Sequence, residues 1–279
     1  MYDFPVDGPV PATVRISSGR LRVFAETRDS VSVDVQPGSS SEASRQIADQ
    51  TRVEMTPDGL LVETPQLRGF MVFRSGNVNV TVRLPRDSRL LVRTSSADVE
   101  VEGRVGPSDI NSASGDLRIE HVAGDLHRGA ASGDTQFGRI DGDLSCNSAS
   151  GDVRGESVGG DYTGKSASGD ITIDTIGGSA RCNSASGDIR LGNLARGEAR
   201  VHTASGDVTI GVAEGTGVWM DLSTVSGSTR SELDVGDAPA DGTGATLSIQ
   251  ARTASGDITI RRARSAPAER PAEAEELQD

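Results

Sequence analysis

A short motif recurs through the middle of the chain at a nearly constant spacing. Ser-Ala-Ser-Gly-Asp, or a variant differing at one position, ends at Asp116, Asp134, Asp152, Asp170, Asp188, Asp207 and Asp257. Four successive steps are 18 residues long and the next is 19. A second Gly-Asp series, at Asp125, Asp143 and Asp161, divides each period into halves of about nine residues. Such a fixed short period is typical of repeat proteins, in which each unit contacts mainly its neighbours.

The residues after each Gly-Asp alternate between apolar and polar side chains. In one repeat Ile171 and Ile173 flank Thr172, and in the next Ile189 and Leu191 flank Arg190. This alternation predicts a strand with one buried face. One half-repeat cannot bury that face alone, whereas coils stacked about 4.8 Å apart pair their backbones and align like residues in inner columns. We therefore predict an all-β fold: a β-solenoid (β-helix) with coils of about 18 residues, each made of two half-repeats of about nine.

The flanking regions lack the full period. Residues 1–92 are predicted to form short strands and one short helix at 41–50, as a β-rich N-terminal cap that covers the open edge of the first coil. The solenoid repeat domain is predicted at 93–262, with a loop insertion at 231–244 where the period breaks. Residues 263–279, rich in Ala, Pro and Glu, are predicted to be a disordered tail.

The charge balance excludes several classes of partner. The formal net charge is -13, which is the wrong sign for nucleic acid or an anionic membrane surface. No uncharged apolar run approaches the ~18 residues needed to insert into a membrane. The start, Met1-Tyr-Asp-Phe-Pro-Val-Asp, has neither a basic segment nor an apolar stretch, so no secretory signal is expected. We expect a cytoplasmic protein.

The two cysteines fit that expectation. Cys146 and Cys182 are 36 residues, or two periods, apart, with Gly164 midway between them. They are predicted to lie in one inward column about 9.6 Å apart, which exceeds the ~7 Å Cα separation that a disulfide allows. Both thiols should therefore be reduced, buried and inert.

No catalytic residue or cofactor is predicted. Residues 155–159 match the G-x-S-x-G pattern of a hydrolase nucleophile elbow at Ser157, but no helix can follow them in a solenoid, so a repeat corner is favoured. His121, His127 and His202 fall on different corners and outward columns and are interpreted as surface residues. Trp219 is predicted to pack in the core or cap, and no apolar stripe indicates a docking face.

The aspartate column is the best candidate for a ligand. Carboxylates about 4.8 Å apart repel one another, and a bound cation would relieve the repulsion. Calcium-binding β-rolls use G-G-x-G-x-D-x-U-x, which this chain does not reproduce because the aspartate directly follows a glycine and directly precedes the apolar residue. We predict no metal site and favour carboxylates that cap corner amides. The weak metal candidates are Asp116, Asp134, Asp152, Asp170, Asp188 and Asp207.

The sequence resembles the bacterial β-strand-repeat proteins named putative adhesins, whose domain (DUF4097) has no assigned function. The serial Ser-Gly-Asp coils, the opening segment 12–25 and the closing segment 252–262 carry the resemblance, which spans roughly residues 10 to 262. It implies a β-solenoid, and it supplies no catalytic residues.

These observations predict a non-catalytic β-solenoid that binds another protein or acts as a scaffold. The alternative is a calcium-binding repeat protein whose aspartate ladder binds cations, and a third is a cryptic hydrolase. No cofactor is expected, and no pattern in the sequence specifies the partner or the oligomeric state.

Overall fold

The computed structural model describes residues 1–65, 76–233 and 246–263, and in these ranges it contains 23 strands and one helix. The N-terminal elements are β1 (Tyr2–Pro5), β2 (Ala12–Glu26), β3 (Ser30–Pro37), α1 (Glu42–Gln50), β4 (Arg52–Thr56), β5 (Gly59–Glu63), β6 (Val78–Pro85) and β7 (Leu90–Val105). The repeats form β8 (Ser108–Ser114), β9 (Leu117–Val122), β10 (Leu126–Ser132), β11 (Thr135–Ile140), β12 (Leu144–Ser150), β13 (Val153–Val158), β14 (Tyr162–Ser168), β15 (Ile171–Ile176), β16 (Ala180–Ser186) and β17 (Ile189–Leu194). The last elements are β18 (Gly197–Ser205), β19 (Val208–Val212), β20 (Gly217–Ser226), β21 (Thr229–Ser231), β22 (Thr246–Ser255) and β23 (Ile258–Arg262).

The repeats stack as parallel rungs in register, which confirms the predicted solenoid. Even-numbered strands β8 to β18 form one face, on which Leu126 pairs with Leu144 and Leu144 with Tyr162. Odd-numbered strands β9 to β19 form the other face, on which Val153 pairs with Ile171. Like positions therefore align rung upon rung, as the sequence period requires.

Large side chains in the narrow interior are accommodated by glycines. A Cβ atom added to Gly155 would lie 1.9 Å from Cζ of Phe137, and one added to Gly164 would lie 2.3 Å from the hydroxyl of Tyr162. Each ring thus occupies space that a neighbouring side chain would otherwise fill. Phe137 and Tyr162 are both buried, so each of these interior rings has a glycine beside it.

The N-terminal end of the stack is closed by antiparallel strands. β2 lies in parallel register beside β7, with Ala12 opposite Leu90, and β5 and β6 lie in parallel on its other side. β4 and β3 then add antiparallel to β5 and β6. The predicted helix is present, and the Ser41 side chain caps it by accepting from the backbone N–H of Ser44. β2 thus continues the rungs into the region predicted as a cap, while the division into domains stays a prediction.

The C-terminal end departs from chain order. β22 pairs with β18 on one side and with β20 on the other, and β23 likewise lies between β19 and β21. The last described strands are therefore inserted, and β20 with β21 forms the terminal rung. The predicted loop insertion at 231–244 and the tail at 263–279 fall almost wholly outside the described residues. The one helix described, α1, is not of the length and hydropathy that crossing a membrane requires.

Candidate functional site

The corner aspartates form a continuous ladder of hydrogen bonds. In each rung Oδ1 accepts the backbone N–H of the aspartate in the next rung. The backbone nitrogen of Asp170 lies 2.8 Å from Oδ1 of Asp152, and the backbone nitrogen of Asp188 lies 2.8 Å from Oδ1 of Asp170. In stack order the ladder runs through Asp98, Asp116, Asp134, Asp152, Asp170, Asp188, Asp207 and Asp257. All six weak metal candidates are therefore brought together, each as an acceptor for a backbone amide.

The two ends of the ladder were less visible in the sequence. Asp98 lies 18 residues before Asp116 but follows Ala97 instead of glycine, so only its spacing could have identified it. At the far end Ser228 takes the aspartate position, and its N–H and Oγ donate to Asp257 at 2.8 and 3.0 Å. These bonds hold the pKa of Asp257 below its ordinary value. The terminal rung consequently has no carboxylate at the ladder position.

A second, shorter ladder lies at the opposite corner. Oδ1 of Asp125, Asp143 and Asp161 accepts the N–H of the next rung at 2.7 to 2.9 Å, ending on Ser179. Within the described ranges no group of three or more His, Cys, Asp or Glu side chains has the arrangement of a metal site. At both corners the carboxylates act as hydrogen-bond acceptors that join adjacent rungs.

We expect Asp170→Ala to lower the free energy of unfolding by about 1–3 kcal/mol, because the N–H of Asp188 loses its acceptor. Asp170→Asn keeps an acceptor oxygen and removes one charge, so we expect a loss below about 1 kcal/mol. Urea denaturation followed by circular dichroism measures both. Equal losses for the two variants would show that the charge, and not the hydrogen bond, matters.

A buried arginine occupies an inward column. Arg128 is 2% exposed and pairs in register with Ile110 and Cys146. Its guanidinium donates to the carbonyl of Gly115 at 3.0 Å and to the hydroxyl of Thr135 at 3.3 Å. Burial lowers the pKa of Arg128. The repeat register puts Arg128 in the inward column of Cys146, so the period indicates its burial, although the residue type does not.

The two cysteines lie in the predicted column. Cys146 and Cys182 both pair with Gly164, one on each side, and both are buried free thiols. The hydroxyl of Tyr162 is buried near them without a hydrogen-bond partner among the described residues. Burial raises the pKa of Cys146 to about 11 and that of Cys182 to about 12.

We expect neither thiol to react with a disulfide reagent at pH 8 in the folded protein, since each is buried and protonated. In denaturing urea both should react. Absorbance of the released thiolate measures the number of reactive groups. Rapid labelling of the folded chain would contradict the buried column.

The predicted surface histidines do not assemble a catalytic group. His121 lies 3.0 Å from the carboxylate of Asp141, which also accepts from Arg139 at 2.6 Å, on a partly exposed corner. His127 is exposed on the other face. Ser157 lies within β13, in register with Arg139, and is followed by a turn and β14. The strand-to-helix geometry of a nucleophile elbow is therefore not present at Ser157.

An open groove lies on the outer face beside the bulge in β7. It has a volume of about 430 Å³, and its lining includes Glu100, Glu102, Glu120 and Glu156. Glu120 accepts the N–H of Gly103 at 2.6 Å, and Glu100 pairs with Arg22 at 3.3 Å. Glu102 and Glu156 are exposed. Arg118 also lines the groove, so four carboxylates face one basic side chain, and this negative balance favours a cationic ligand.

The prediction for Trp219 was wrong. Its side chain is 58% exposed instead of packed in the core or cap. It lies on β20, whose register with β22 places it opposite Ser248 on the outer face. The order of the last rungs, which the period does not encode, makes β20 the terminal rung.

Fold and ladder define a class of protein: a parallel β-solenoid whose rungs are joined at their corners by aspartate side chains. Residues 13–261 match the Toastrack DUF4097 family. The chain belongs to this family, which confirms the resemblance.

Solved structures also align over most of the chain. A putative lipid binding protein from Parabacteroides distasonis ATCC 8503 is 13% identical, with a TM-score of 0.48, covering 93% of this chain and 95% of that one. A putative adhesin from the same strain is 11% identical, with a TM-score of 0.47 and coverages of 94% and 95%. A putative cell adhesion protein from Clostridium sporogenes ATCC 15579 is 10% identical, with a TM-score of 0.25 and coverages of 94% and 98%. No curated protein matches the chain.

Proposed function

We propose that this chain is a non-catalytic binding or scaffold protein whose partner is another protein. The observation that carries the proposal is the aspartate ladder, in which the stacked carboxylates serve as acceptors for backbone amides. The rungs hold the outward side chains in fixed register, as a repeat protein presents an extended binding surface.

The acidic groove is the proposed contact surface for that partner. Glu102 on β7 and Glu156 on β13 both line the groove, three rungs apart on the same outer face, and the net charge of the chain is -13. A basic protein segment complements both the groove and the overall field. Nucleic acid is negatively charged and binds basic surfaces, so it is not proposed as the partner.

Affinity capture with matched surface variants tests the proposal. Glu102→Gln/Glu156→Gln removes two negative charges from the groove, and the control Asn147→Lys/Asn183→Lys changes the net charge equally on another outer column. We expect wild type and control to retain one partner and the groove variant to lose it, with calorimetry on the purified pair confirming a fixed stoichiometry. Ester hydrolysis by the wild type that Ser157→Ala abolishes would instead support an enzyme.

Calcium is the second outcome to test. Because each ladder carboxylate already accepts an amide, we expect the melting temperature to be the same, within about 1 °C, in excess calcium and in chelator. Differential scanning calorimetry measures the shift. A rise of several degrees with calcium would support the cation-binding alternative. The expected cytoplasmic location stays a prediction, which cell fractionation tests.

A further inference from the structure

Among the described residues, the terminal rung has one unpaired edge. β20 pairs with β22 and β21 with β23, and within the described ranges no strand pairs with their other edge. β20 is ten residues long. A long unpaired edge of this kind is a template for another strand.

The side chains of this edge are more exposed than those of any inner rung. Val218, Met220 and Leu222 occupy the inward positions but are only partly buried. On the outer face Trp219 is 58% and Val225 is 87% exposed. Residues 217–231 contain no proline or lysine, the residues that commonly protect an edge.

We propose that this edge is covered by a second copy of the chain, with the two β20 strands antiparallel about a two-fold axis at Leu222. In that register Trp219 faces Val225 of the second copy, because both lie three residues from the axis. The two exposed apolar side chains of the outer face would then form two symmetry-related cross-strand pairs.

Charge favours the register centred on Leu222 over the register centred on Asp221. Centring the axis on Asp221 would place two aspartates opposite each other, whereas centring it on Leu222 places Asp221 opposite Ser223 of the second copy. Ser223 pairs laterally with Arg252, so Arg252 of one copy lies in the same column as Asp221 of the other. Within one chain Arg252 already donates to Asp221 at 3.2 Å. The interface therefore alternates opposite charges across small serines.

Head-to-tail stacking is disfavoured at both ends. The ladder ends at Ser228, so the terminal rung presents no carboxylate to the amide of a following parallel rung. At the other end, antiparallel β3 and β4 cover the parallel rungs β6 and β5. A two-fold contact closes after two copies, whereas a head-to-tail contact would form open fibres.

Sedimentation velocity of the full chain tests the association. We expect a dimer at tens of micromolar protein, and at least about a tenfold weaker association for Trp219→Arg. Tyr2→Arg, at an exposed aromatic at the other end of the stack, is the control and should leave the dimer unchanged. A wild type that stays monomeric would overturn the proposal and would assign the edge to another occupant, such as residues 234–245 or a different protein.

Disulfide trapping tests the register. Leu222→Cys should cross-link two copies on oxidation, since the two Cβ atoms would lie opposite each other at the axis, about 4.5–5.5 Å apart. Met220→Cys is the matched control: its copies would lie four residues apart, or about 13 Å, and should stay uncross-linked. Cys146 and Cys182 are buried and do not interfere. Cross-linking of the control but not of Leu222→Cys would overturn the proposed axis.

Discussion

Gly169→Ala is expected to lower the free energy of unfolding by at least about 3 kcal/mol. Gly169 has a φ of +126°, where residues with a Cβ are strongly disfavoured, and its added Cβ would lie 2.3 Å from the carbonyl oxygen of Gly151. That oxygen belongs to the adjacent rung, whose corner is held by the aspartate ladder on both sides. The clash therefore cannot be relieved by moving one residue.

Gly215→Ala separates backbone strain from the clash. Gly215 also has a positive φ, +71°, but nothing lies within 4 Å of its added Cβ. A loss of about 1–2 kcal/mol is expected there. Urea denaturation of both variants measures the difference. If Gly169→Ala loses no more than Gly215→Ala, the corners are not tightly stacked, and the rung spacing described for this region is wrong.

The repeat period was sufficient to predict the corners and the columns. The period alone puts the glycines, the aspartates and the two cysteines in register, because a one-residue slip would turn every apolar side chain outward. The same period holds the ladder at Asp98, which the motif alone does not reveal because alanine replaces glycine there.

The order of rungs at the two ends could not be predicted in this way. β2 has β7 on one side and both β5 and β6 on the other. β22 lies between β18 and β20. Neither placement follows from local periodicity, because a parallel rung offers similar apolar columns to any neighbour. For this reason the prediction that Trp219 packs in the core or cap was wrong: the residue lies on the terminal rung, and its side chain is exposed.

The burial of Arg128 could be predicted only in part. Arg128 sits at a position that the period assigns to the core, while its residue type is among those least often buried. The structure satisfies it with neutral oxygens from Ser112, Gly115, Gly129 and Thr135. A buried guanidinium held in this way fills volume and joins the two faces, yet it pays a desolvation penalty.

Two substitutions at Arg128 separate volume from charge. Arg128→Ala removes a side chain that is 2% exposed and leaves a cavity between the faces, so we expect a loss of about 2–5 kcal/mol. Arg128→Met restores much of the volume without the charge, and its loss should be below about 1.5 kcal/mol, because the lost hydrogen bonds are offset by the avoided desolvation.

Urea denaturation at fixed pH measures both variants, and the slope of the transition should stay constant if each remains two-state. Losses that are equal for Arg128→Ala and Arg128→Met would mean that the hydrogen bonds, and not the filled volume, hold this rung. The guanidinium would then act as a cross-link between β10 and the start of β11, since it bonds to Thr135 as well as to its own strand. In that case Arg128→Lys, with a single ammonium in place of the planar fork, should be nearly as unstable as the alanine variant.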